Sequence, residues 1–347
     1  MSKLDELTLK KKKLDTLKPA QGQAFQNLEH WLKVELTYSS NAIEGNTLSR
    51  METAEVIEKG VSATISGKPL KDQLEAINHA KALEFIKNLA KKRKGHQFIT
   101  EEDILDIHKV ILGGISDDWA GKYRETQVFI RGTNLDLPKP NEVPILMKKF
   151  IEWLGGQQGQ HPVKVASEAH FKFESIHPFV DGNGRVGRLL LNLILIINGY
   201  PMAIIRNEQR TQYLAALNVA QTKGEFALIQ GLIEDAVERS LDAYIAAVEG
   251  KAVLPTLMGE VARDSDKLLK IGKLAKAAGE NIPTIRFWTK EGFLKVAKYT
   301  PGGYQLYDST QIDRAKEVRY LQDEHRLSLR EIKQKLGIGR KSSISPV

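Results

Sequence analysis

The chain has 347 residues, of which 41% are hydrophobic and none is cysteine. This length allows two or three domains with a sizeable core, and the lack of cysteine excludes disulfides, thiolate metal sites and a cysteine nucleophile. The net charge is +8, and all of the excess lies in residues 265–341, which hold 17 Lys and Arg against 9 Asp and Glu, whereas residues 1–264 hold 34 of each. A basic C-terminal region is typical of nucleic-acid binding, although a solubilising surface explains the charge equally well.

The N-terminal part of the chain favours helices. Apolar residues recur three and four apart from residue 1 to about 250. Ser49–Glu52 forms a capping box that opens one helix, and Thr100 caps another whose first turn is acidic. The apolar run 189–198 is about half a membrane span and is stopped by Gly199, so it predicts a buried core helix. Because the N-terminus lacks the apolar stretch of a signal peptide and cysteine is absent, we expect a cytoplasmic protein.

Two regions depart from the helical pattern. Residues 124–131 (RETQVFIR) are strand-like and are followed by the Pro-rich loop 132–144, which together predict a short β-hairpin. Gly and Pro breakers predict a linker over residues 250–266. Beyond it, short helices flank a Gly-Gly-Tyr hairpin at 300–307, which predicts a small separate domain.

The stretch 177–188 (HPFVDGNGRVGR) has the features of an anion-binding site. Gly182 and Gly184 let the backbone approach a ligand closely and turn its N–H groups inward. The helix that continues from Arg185 points its positive dipole end at the same place. Arg185 and Arg188 are three residues apart, so they share one helix face and can clamp phosphate oxygens.

A base and a metal ligand accompany this site. His177 lies at the end of the preceding helix and can take a proton near neutral pH. Asp181 is a hard oxygen ligand that suits Mg²⁺ carried by a di- or triphosphate. A polar corner between two helices with a satisfied histidine is the structural alternative, but it does not explain why all these residues share one short window.

The same stretch resembles the signature of the Fic family, His-x-Phe-x-(Asp/Glu)-Gly-Asn-Gly-Arg-x-x-Arg, at every defined position, and the resemblance extends over residues 20–245. It implies an all-helical fold with a β-hairpin flap, and transfer of AMP from Mg·ATP to a protein hydroxyl with release of pyrophosphate. The implied roles are general base for His177, Mg²⁺ ligand for Asp181, and ATP binding for Asp181, Gly182, Asn183, Gly184, Arg185, Val186, Gly187 and Arg188.

Further ATP contacts follow from the same resemblance. The predicted hairpin resembles the Fic flap, along which a target protein adds as a β-strand. Residues 210–214 (RTQYL) resemble the segment that lines the adenine pocket. Further along, a Gln stands where the family often has an Asn that reaches the base. The residues implied are Ile130, Arg131, Gly132, Thr133, Tyr213, Leu214 and Gln221.

Residues 40–46 (SNAIEGN) match the Fic inhibitory motif (Ser/Thr)-x-x-x-Glu-(Gly/Asn), which implies inhibitory roles for Ser40, Glu44 and Gly45. Glu44, on an adjacent helix, can pair with Arg188 and occupy the position that the γ-phosphate needs. ATP then binds with its α-phosphorus wrongly presented. In some relatives this glutamate also activates water to remove AMP. The structural alternative is an ordinary helix C-terminus with an exposed Glu and a Gly cap.

Residues 269–337 resemble the MerR-type winged helix in the order of Gly-x-Leu-Ala, Thr-Ile-Arg-x-Trp, Gly-Tyr-x-Leu-Tyr and Leu-Ser-Leu-x-Glu-Ile-Lys. The resemblance implies DNA contacts from Thr284, Arg286 and Lys290 on the second helix. MerR regulators carry this domain N-terminally with a dimer helix behind it, whereas here it is C-terminal. A homodimer and operator binding therefore stay open, as does a role in docking protein.

We therefore predict a mainly α chain with an N-terminal helical region at 1–95, a Fic catalytic core at 96–249, a linker at 250–266 and a winged-helix domain at 267–340. The predicted function is AMP transfer to a Ser, Thr or Tyr hydroxyl of a protein, itself included, under inhibition by Glu44 and without a membrane. Two alternatives stay open. One is a DNA-binding regulator whose Fic fold senses nucleotide without turnover, and the other is a de-AMPylase that uses Glu44 and His177.

Overall fold

The computed structural model describes residues 2–17, 23–63, 65–130, 135–250, 268–299, 304–308, 310–323 and 327–336. The chain divides into two compact units, residues 1–257 and 258–347. Within the described residues, no helix is long and apolar enough to cross a membrane. The finer boundary that the sequence predicts between residues 95 and 96 stays a prediction.

The first unit is built from α-helices, as its sequence predicts. In the described residues they are α1 Lys3–Thr16, α2 Gln23–Ile43, α3 Arg50–Lys59, α4 Leu70–Lys92, α5 Glu101–Leu112, α6 Val143–Gly155, α7 Pro162–Ile176, α8 Asn183–Ile197, α9 Arg210–Lys223 and α10 Ala227–Val248.

Side-chain caps fix where several of these helices begin. Ser49 Oγ accepts a hydrogen bond from Glu52 N at 3.3 Å, and the Glu52 carboxylate accepts one from Ser49 N at 2.7 Å. Thr100 and Asp103 cap α5 in the same reciprocal way. Each pair satisfies two backbone N–H groups that the helix itself leaves free. The caps predicted at Ser49 and Thr100 are therefore confirmed.

The helix α8 runs through the core of the first unit. From Leu189 to Leu195 every residue is at most 1% exposed. Asn192, the polar residue in this run, donates to Arg188 O and Ala203 O and accepts from Ala203 N at 2.7 Å. Because its amide is satisfied, it can lie among leucines without leaving a buried polar group unpaired. The predicted buried helix is thus confirmed.

The β-hairpin predicted for residues 124–144 is wrong in the parts that the structure describes. Neither 124–130 nor 135–139 contains a β-strand. Pro138 and Pro140 lack the N–H groups that a strand ladder needs. The tip of the predicted hairpin, residues 131–134, lies outside the described residues.

A buried side chain replaces the ladder at the base of these two arms. Arg124 donates through Nη1 to Thr126 O at 3.3 Å and through Nη2 to Pro138 O at 2.5 Å. Gln127 Nε2 donates across the arms to Leu137 O at 3.2 Å. Backbone carbonyls that strand pairing would use are therefore taken by side chains. We call residues 124–130 and 135–139 the flap arms.

The second unit has its own sheet and helices. In its described residues these are β1 Leu269–Lys270, α11 Ile271–Ala278, α12 Ile282–Lys290, β2 Lys298–Tyr299, β3 Gln305–Tyr307, α13 Thr310–Asp323 and α14 Leu329–Lys335. The strands form an antiparallel sheet in the order β1-β3-β2. The strands β2 and β3 pair with each other, which confirms, in the described residues, the hairpin predicted at 300–307.

A separate hydrophobic core holds the second unit together. Trp288 of α12 is 1% exposed and packs with Leu274, Ile285 and Tyr307, among other apolar residues. The α12 helix begins where Asn281 Oδ1 accepts from Thr284 N at 2.8 Å. The spacing of the two buried residues Ile285 and Trp288 turns one face of α12 inward, so its opposite face is free for a partner.

Candidate active site

His177 ends α7 in a left-handed conformation, with φ 50° and ψ 61°. Among the described residues it is the one non-glycine residue with positive φ, a conformation that costs about 1–2 kcal/mol. Its N–H donates to Phe173 O at 3.0 Å and closes the last turn of the helix. The sequence placed the histidine at a helix end but gave no sign of this strained backbone.

The imidazole of His177 is held in its neutral form. Burial lowers the pKa of His177 to about 4. Nδ1 is buried and lies 3.9 Å from Glu174 Oε2. At pH 7 the ring is therefore neutral, and Nε2 can accept a proton, as a general base must.

Buried side chains shape the loop between α7 and α8. Asn183 accepts from Phe179 N at 2.9 Å and donates to Phe179 O at 2.8 Å. The ring of His108 stacks on that of Phe179 with centroids 3.6 Å apart, and its Nε2 donates to Asp181 O at 3.1 Å. Gly121 N donates to His108 Nδ1 at 3.0 Å, which fixes the tautomer. The sequence analysis did not single out His108, because nothing local links α5 to this loop.

Arg188 donates hydrogen bonds to two residues of the predicted inhibitory motif, Ser40 and Glu44. The arginine is 3% exposed. Its Nε donates to Ser40 Oγ at 3.0 Å, and its Nη2 donates to Ser40 O at 2.8 Å and to Glu44 Oε1 at 2.7 Å. Glu44 lies in the turn directly after α2, and Gly45 follows with φ 99°. The predicted contact is present, while its inhibitory effect stays a prediction.

Gly184 makes room for this ion pair at the start of α8. A Cβ at Gly184 would lie 2.1 Å from Glu44 Oε1 and 3.0 Å from Arg188 Nη1. The sequence analysis explained this glycine by a close approach of ligand to backbone. In the structure the group that approaches is the Glu44 carboxylate, an anion in the position where a phosphate is expected.

Arg185 and Arg188 are held by different carboxylates. Arg185 Nη1 lies 3.1 Å from Glu75 Oε1 on α4, and its Nη2 donates to Asp181 Oδ1 at 3.2 Å. Gly182 N donates to the same oxygen at 2.6 Å. Burial alone would raise the pKa of Asp181, but Arg185 and the Gly182 N–H lower it overall. The Asp181 carboxylate is therefore ionised at neutral pH.

Asp181 fits a Mg²⁺ ion that a nucleotide brings with it. Its side chain is 50% exposed, and Lys71 Nζ lies 3.8 Å from Oδ2. Mg²⁺ is commonly held by one or two carboxylates together with substrate phosphates and waters. Among the described residues, no three His, Asp or Glu side chains cluster so as to hold a metal by themselves. Asp181 would thus hold the ion jointly with phosphate oxygens.

A cavity of 610 Å³ lies beside these groups, within the range of small-molecule pockets. Of the predicted site residues, those that line it are Glu44, Gly45, Ile130, His177, Gly184, Arg188, Tyr213, Leu214 and Gln221. In the described chain, the predicted residues that do not line it are Ser40, Asp181, Gly182, Asn183, Arg185, Val186 and Gly187. Arg131, Gly132 and Thr133 lie outside the described residues.

The predicted ATP contacts of Val186 and Gly187 need correction. The Val186 side chain is fully buried in the core, and its N–H donates to Gly182 O at 2.9 Å. A Cβ at Gly187 would lie 2.3 Å from Glu174 Oε1 and 3.1 Å from His170 Nδ1, and Gly187 itself does not line the cavity. The N–H groups that α8 leaves free are those of its first turn, from Asn183 to Arg185. Of these three residues, Gly184 lines the cavity.

Several cavity residues escaped the sequence analysis. Glu174 is 7% exposed, and burial raises its pKa to about 8 although Arg188 lowers it. Asn218 also lines the cavity, one helical turn from Leu214 and Gln221. Helical spacing on α9 was a signal that could have identified Asn218, whereas nothing in the sequence marks Glu174 as a buried neutral carboxyl.

The helix α9 is tied to both sides of the cavity. Tyr213 is 1% exposed, and its hydroxyl lies 2.7 Å from His170 Nε2. Arg210 lines the cavity and donates through Nε to Ile43 O, at the end of α2, at 2.7 Å. The segment predicted to contact adenine is therefore joined directly to the end of the helix that precedes Glu44.

On the second unit, α12 presents basic side chains outward. Arg286 and Lys290 are exposed, whereas Ile285 and Trp288 are buried. Because Arg286 and Lys290 are four residues apart on one helix, they share a face. Both residues are among those to which the MerR resemblance assigns DNA contacts.

A groove of 670 Å³ lies next to that face. Its lining includes Lys270, Lys273 and Arg286. Thr284, by contrast, directs its hydroxyl to Asn281 Oδ1 at 2.9 Å as part of the cap of α12. A DNA contact in which the Thr284 hydroxyl donates would replace that bond, whereas the hydroxyl oxygen can still accept a hydrogen bond.

Family comparisons match both parts of the chain. Residues 98–195 match the model of the Fic/DOC family, and residues 269–337 match that of the MerR HTH family regulatory proteins. Both resemblances drawn from the motifs are confirmed.

Several similar proteins each cover about 70% of the chain. The chain is 36% identical over 249 residues to Protein adenylyltransferase Fic of Aedes aegypti, which covers 71% of this chain and 48% of that relative. The chain spans about half the length of the curated relatives it matches. A Fic domain containing signaling protein from Bacteroides thetaiotaomicron has a TM-score of 0.63 at 30% identity, over 72% of this chain and 99% of that one. Fic-1 from C. elegans has a TM-score of 0.62 at 32% identity, over 71% of each chain.

Proposed function

Because the chain belongs to the Fic/DOC family, we propose that it is a protein adenylyltransferase, which transfers AMP from ATP to a Ser, Thr or Tyr hydroxyl of a protein and releases pyrophosphate. The observation that carries the proposal is one cavity lined by neutral His177, by Gly184 in the first turn of α8 and by Arg188. Relatives named Protein adenylyltransferase Fic support it.

In this reaction His177 Nε2 accepts the proton of the target hydroxyl while the hydroxyl oxygen attacks the α-phosphorus. The bond from the α-phosphorus to the bridging oxygen breaks, and pyrophosphate leaves. The free N–H groups at the start of α8 and its positive dipole end stabilise charge on the phosphate oxygens. Arg188 binds the terminal phosphate when Glu44 releases it. Mg²⁺ held by Asp181 would neutralise part of the phosphate charge.

The direct test is His177→Ala, assayed with labelled ATP in a Glu44→Gly background. Loss of a general base should slow transfer by about 10²- to 10⁴-fold, while ATP binding persists. His30→Ala, which replaces an exposed histidine of α2, is the matched control and should transfer normally. If the His177→Ala variant transferred AMP at the same rate as its Glu44→Gly parent, the mechanism would be overturned.

Removal of AMP is a second candidate, because Glu44 and His177 line the same cavity. AMP-labelled protein from the transfer reaction should be incubated with the wild type and with Glu44→Gly, without ATP. Release of AMP by the wild type alone would favour removal as the main activity. ATP binding with neither transfer nor release would favour a nucleotide sensor.

We also propose that the second unit binds duplex DNA. The charge excess of residues 265–341, the exposed Arg286 and Lys290, and the MerR match support this. Affinity should fall steeply with salt, with a log–log slope of about −0.9 for each phosphate contact. A gel-shift titration of the full chain on genomic fragments, its own promoter included, measures this. No binding at low salt would indicate a protein-docking role instead.

Substitutions separate the two kinds of DNA contact. Lys290→Gln should weaken binding to all sequences alike and reduce the salt slope by about one contact. Arg286→Gln should relax sequence preference if the arginine reaches a base. Lys316→Gln, at an exposed position of α13, is the matched control and should leave binding unchanged. Equal losses from all three would indicate general electrostatics without a recognition helix.

A further inference from the structure

Arg124 is a buried arginine whose partners are all backbone carbonyls. It is 1% exposed. Its Nε donates to His177 O at 2.9 Å, Nη1 to Thr126 O at 3.3 Å and Nη2 to Pro138 O at 2.5 Å. Its own backbone N–H donates to Pro178 O at 2.9 Å. Burial lowers its pKa, and within the described chain no carboxylate offsets this effect.

A buried guanidinium without a counter-ion is unfavourable unless its donors are satisfied. The carbonyls that satisfy Arg124 come from separate segments. One is His177, and the others, Thr126 and Pro138, belong to the two flap arms. The guanidinium therefore joins the loop that carries the predicted base to both sides of the flap.

The hydrogen bond from Arg124 Nε is accepted by His177, whose backbone is in the strained left-handed conformation. A non-glycine residue keeps a left-handed conformation only where its surroundings determine it fully. The Arg124 Nε–H fixes the direction of the His177 carbonyl, while Phe173 O receives the His177 N–H. With both backbone groups of His177 engaged, the imidazole is held over the cavity that Ile130, at the end of the first flap arm, also lines.

We propose that Arg124 is a positioning residue, which holds His177 and the two flap arms in one fixed arrangement for AMP transfer. This inference rests on the proposed function. Arg124 does not line the cavity in the described structure, so it acts through His177 and the flap and not by touching nucleotide.

Arginine and lysine differ at such a site. A guanidinium presents donors from three nitrogens in a planar fork, whereas an ammonium is one compact centre. Lysine at position 124 would keep the positive charge but could not reach three carbonyls that lie in different directions. Arg124→Lys is therefore the variant that removes the bridge and leaves the charge.

The experiment compares Arg124→Lys with its parent in a Glu44→Gly background. Equilibrium dialysis with labelled ATP gives the stoichiometry and the dissociation constant. Incorporation of label into this chain and into lysate proteins at saturating Mg·ATP gives the rate. We expect unchanged stoichiometry and dissociation constant, and a rate per bound nucleotide that is lower by about 10- to 100-fold, as displacement of a base by an ångström produces.

A role in folding alone gives a different result. It would lower the stoichiometry of ATP binding and leave the rate per bound nucleotide unchanged, which would overturn the inference. Arg93→Lys makes the same substitution at an arginine whose Nη2 donates to Asp103 at 2.6 Å, and it should leave the rate unchanged. If the Glu44→Gly parent transfers no AMP, both this inference and the proposed function fail. If the parent and its Arg124→Lys variant transfer AMP at the same rate per bound nucleotide, only the inference fails.

A pH profile gives an independent readout. Burial lowers the pKa of His177 most and a hydrogen bond with the Glu174 backbone raises it. Arg124 lowers it further, whereas Glu44 and Asp181 raise it. Arg124→Met, which removes the charge, should therefore shift the acid limb of the rate profile to higher pH. Arg124→Lys should not shift it. Coincident profiles for the Met variant and the parent would count against contact between Arg124 and the catalytic base.

Discussion

The inhibitory role predicted for Glu44 leads to the sharpest test of this structure. Arg188 is almost fully buried, and Glu44 Oε1 accepts from its Nη2 at 2.7 Å. Glu44→Gly removes the carboxylate and leaves both Ser40 contacts in place, since those come from Ser40 Oγ and Ser40 O. The arginine should therefore keep its position while its Nη2 becomes available to a phosphate.

The size of the effect follows from the bond that is lost. A hydrogen bond between charged groups contributes about 1.5–3 kcal/mol. The Glu44 side chain is 40% exposed, so solvent weakens the pair and the lower half of that range applies. Because every 1.4 kcal/mol is a factor of ten, release of Arg188 should raise AMP transfer by about 10- to 40-fold.

The assay is incorporation of label from ATP into protein, self-modification included, at saturating Mg·ATP. Glu44→Gln should raise the rate less than Glu44→Gly does, since the amide keeps the side chain in place and loses only the charge. Glu225→Gly, at an exposed position between α9 and α10, is the matched control and should leave the rate unchanged. An equal or lower rate in Glu44→Gly would show that Glu44 does not inhibit.

Three further predictions follow from the burial of histidine and isoleucine side chains. Because the pKa of His177 is about 4, the transfer rate in a pH–rate profile should stay level from pH 8 to about 6 and fall with a midpoint near 4. A midpoint near the ordinary histidine pKa of about 6.5 would contradict this prediction. Burial also lowers the pKa of other histidines to about 3 or 4. These groups take up protons only on unfolding, so the melting temperature should fall as pH drops from 6.5 towards 4, and a constant melting temperature over that range would refute the reasoning. Ile194→Ala, in the buried part of α8, should lower the free energy of unfolding by about 2–5 kcal/mol in a denaturant titration. A loss below about 1 kcal/mol would mean that neighbouring side chains fill the space that the isoleucine leaves.

Local patterns explain what the sequence could predict. The capping boxes at Ser49 and Thr100 depend on residues three apart, so the sequence contains all that they need. The buried helix α8 follows from an apolar run that a Gly ends. The predicted anion-binding stretch 177–188 was recognisable because the residues that carry its chemistry are consecutive. The contact between Glu44 and Arg188 was predictable only because the short motif around Glu44 accompanies the complete signature that contains Arg188.

Contacts that depend on the tertiary fold were out of reach. His108 stacks under the catalytic loop, yet its position on α5 is typical of any buried helical residue. Arg124 seemed part of a strand, because Val and Ile follow it closely, whereas its guanidinium takes the carbonyls that a strand would pair. The neutral carboxyl of Glu174 results from burial beside Gly187, which no sequence pattern records.

The same geometry decides how inhibition by Glu44 should act. The cavity beside Glu44 has a volume of 610 Å³ with the ion pair in place, which is within the range of small-molecule pockets, so we expect a nucleotide to enter without displacing the pair. The pair occupies one donor of Arg188, the residue proposed to bind a terminal phosphate, and it leaves the rest of the cavity volume open. Glu44 should therefore change the placement of the phosphates more than the affinity for the nucleotide. Since only interactions that differ between bound substrate and transition state alter the chemical rate, Glu44→Gly should raise the transfer rate while the dissociation constant of ATP changes by a smaller factor. Equal changes in both, measured by equilibrium dialysis and by label incorporation, would mean that Glu44 simply competes with ATP for the cavity.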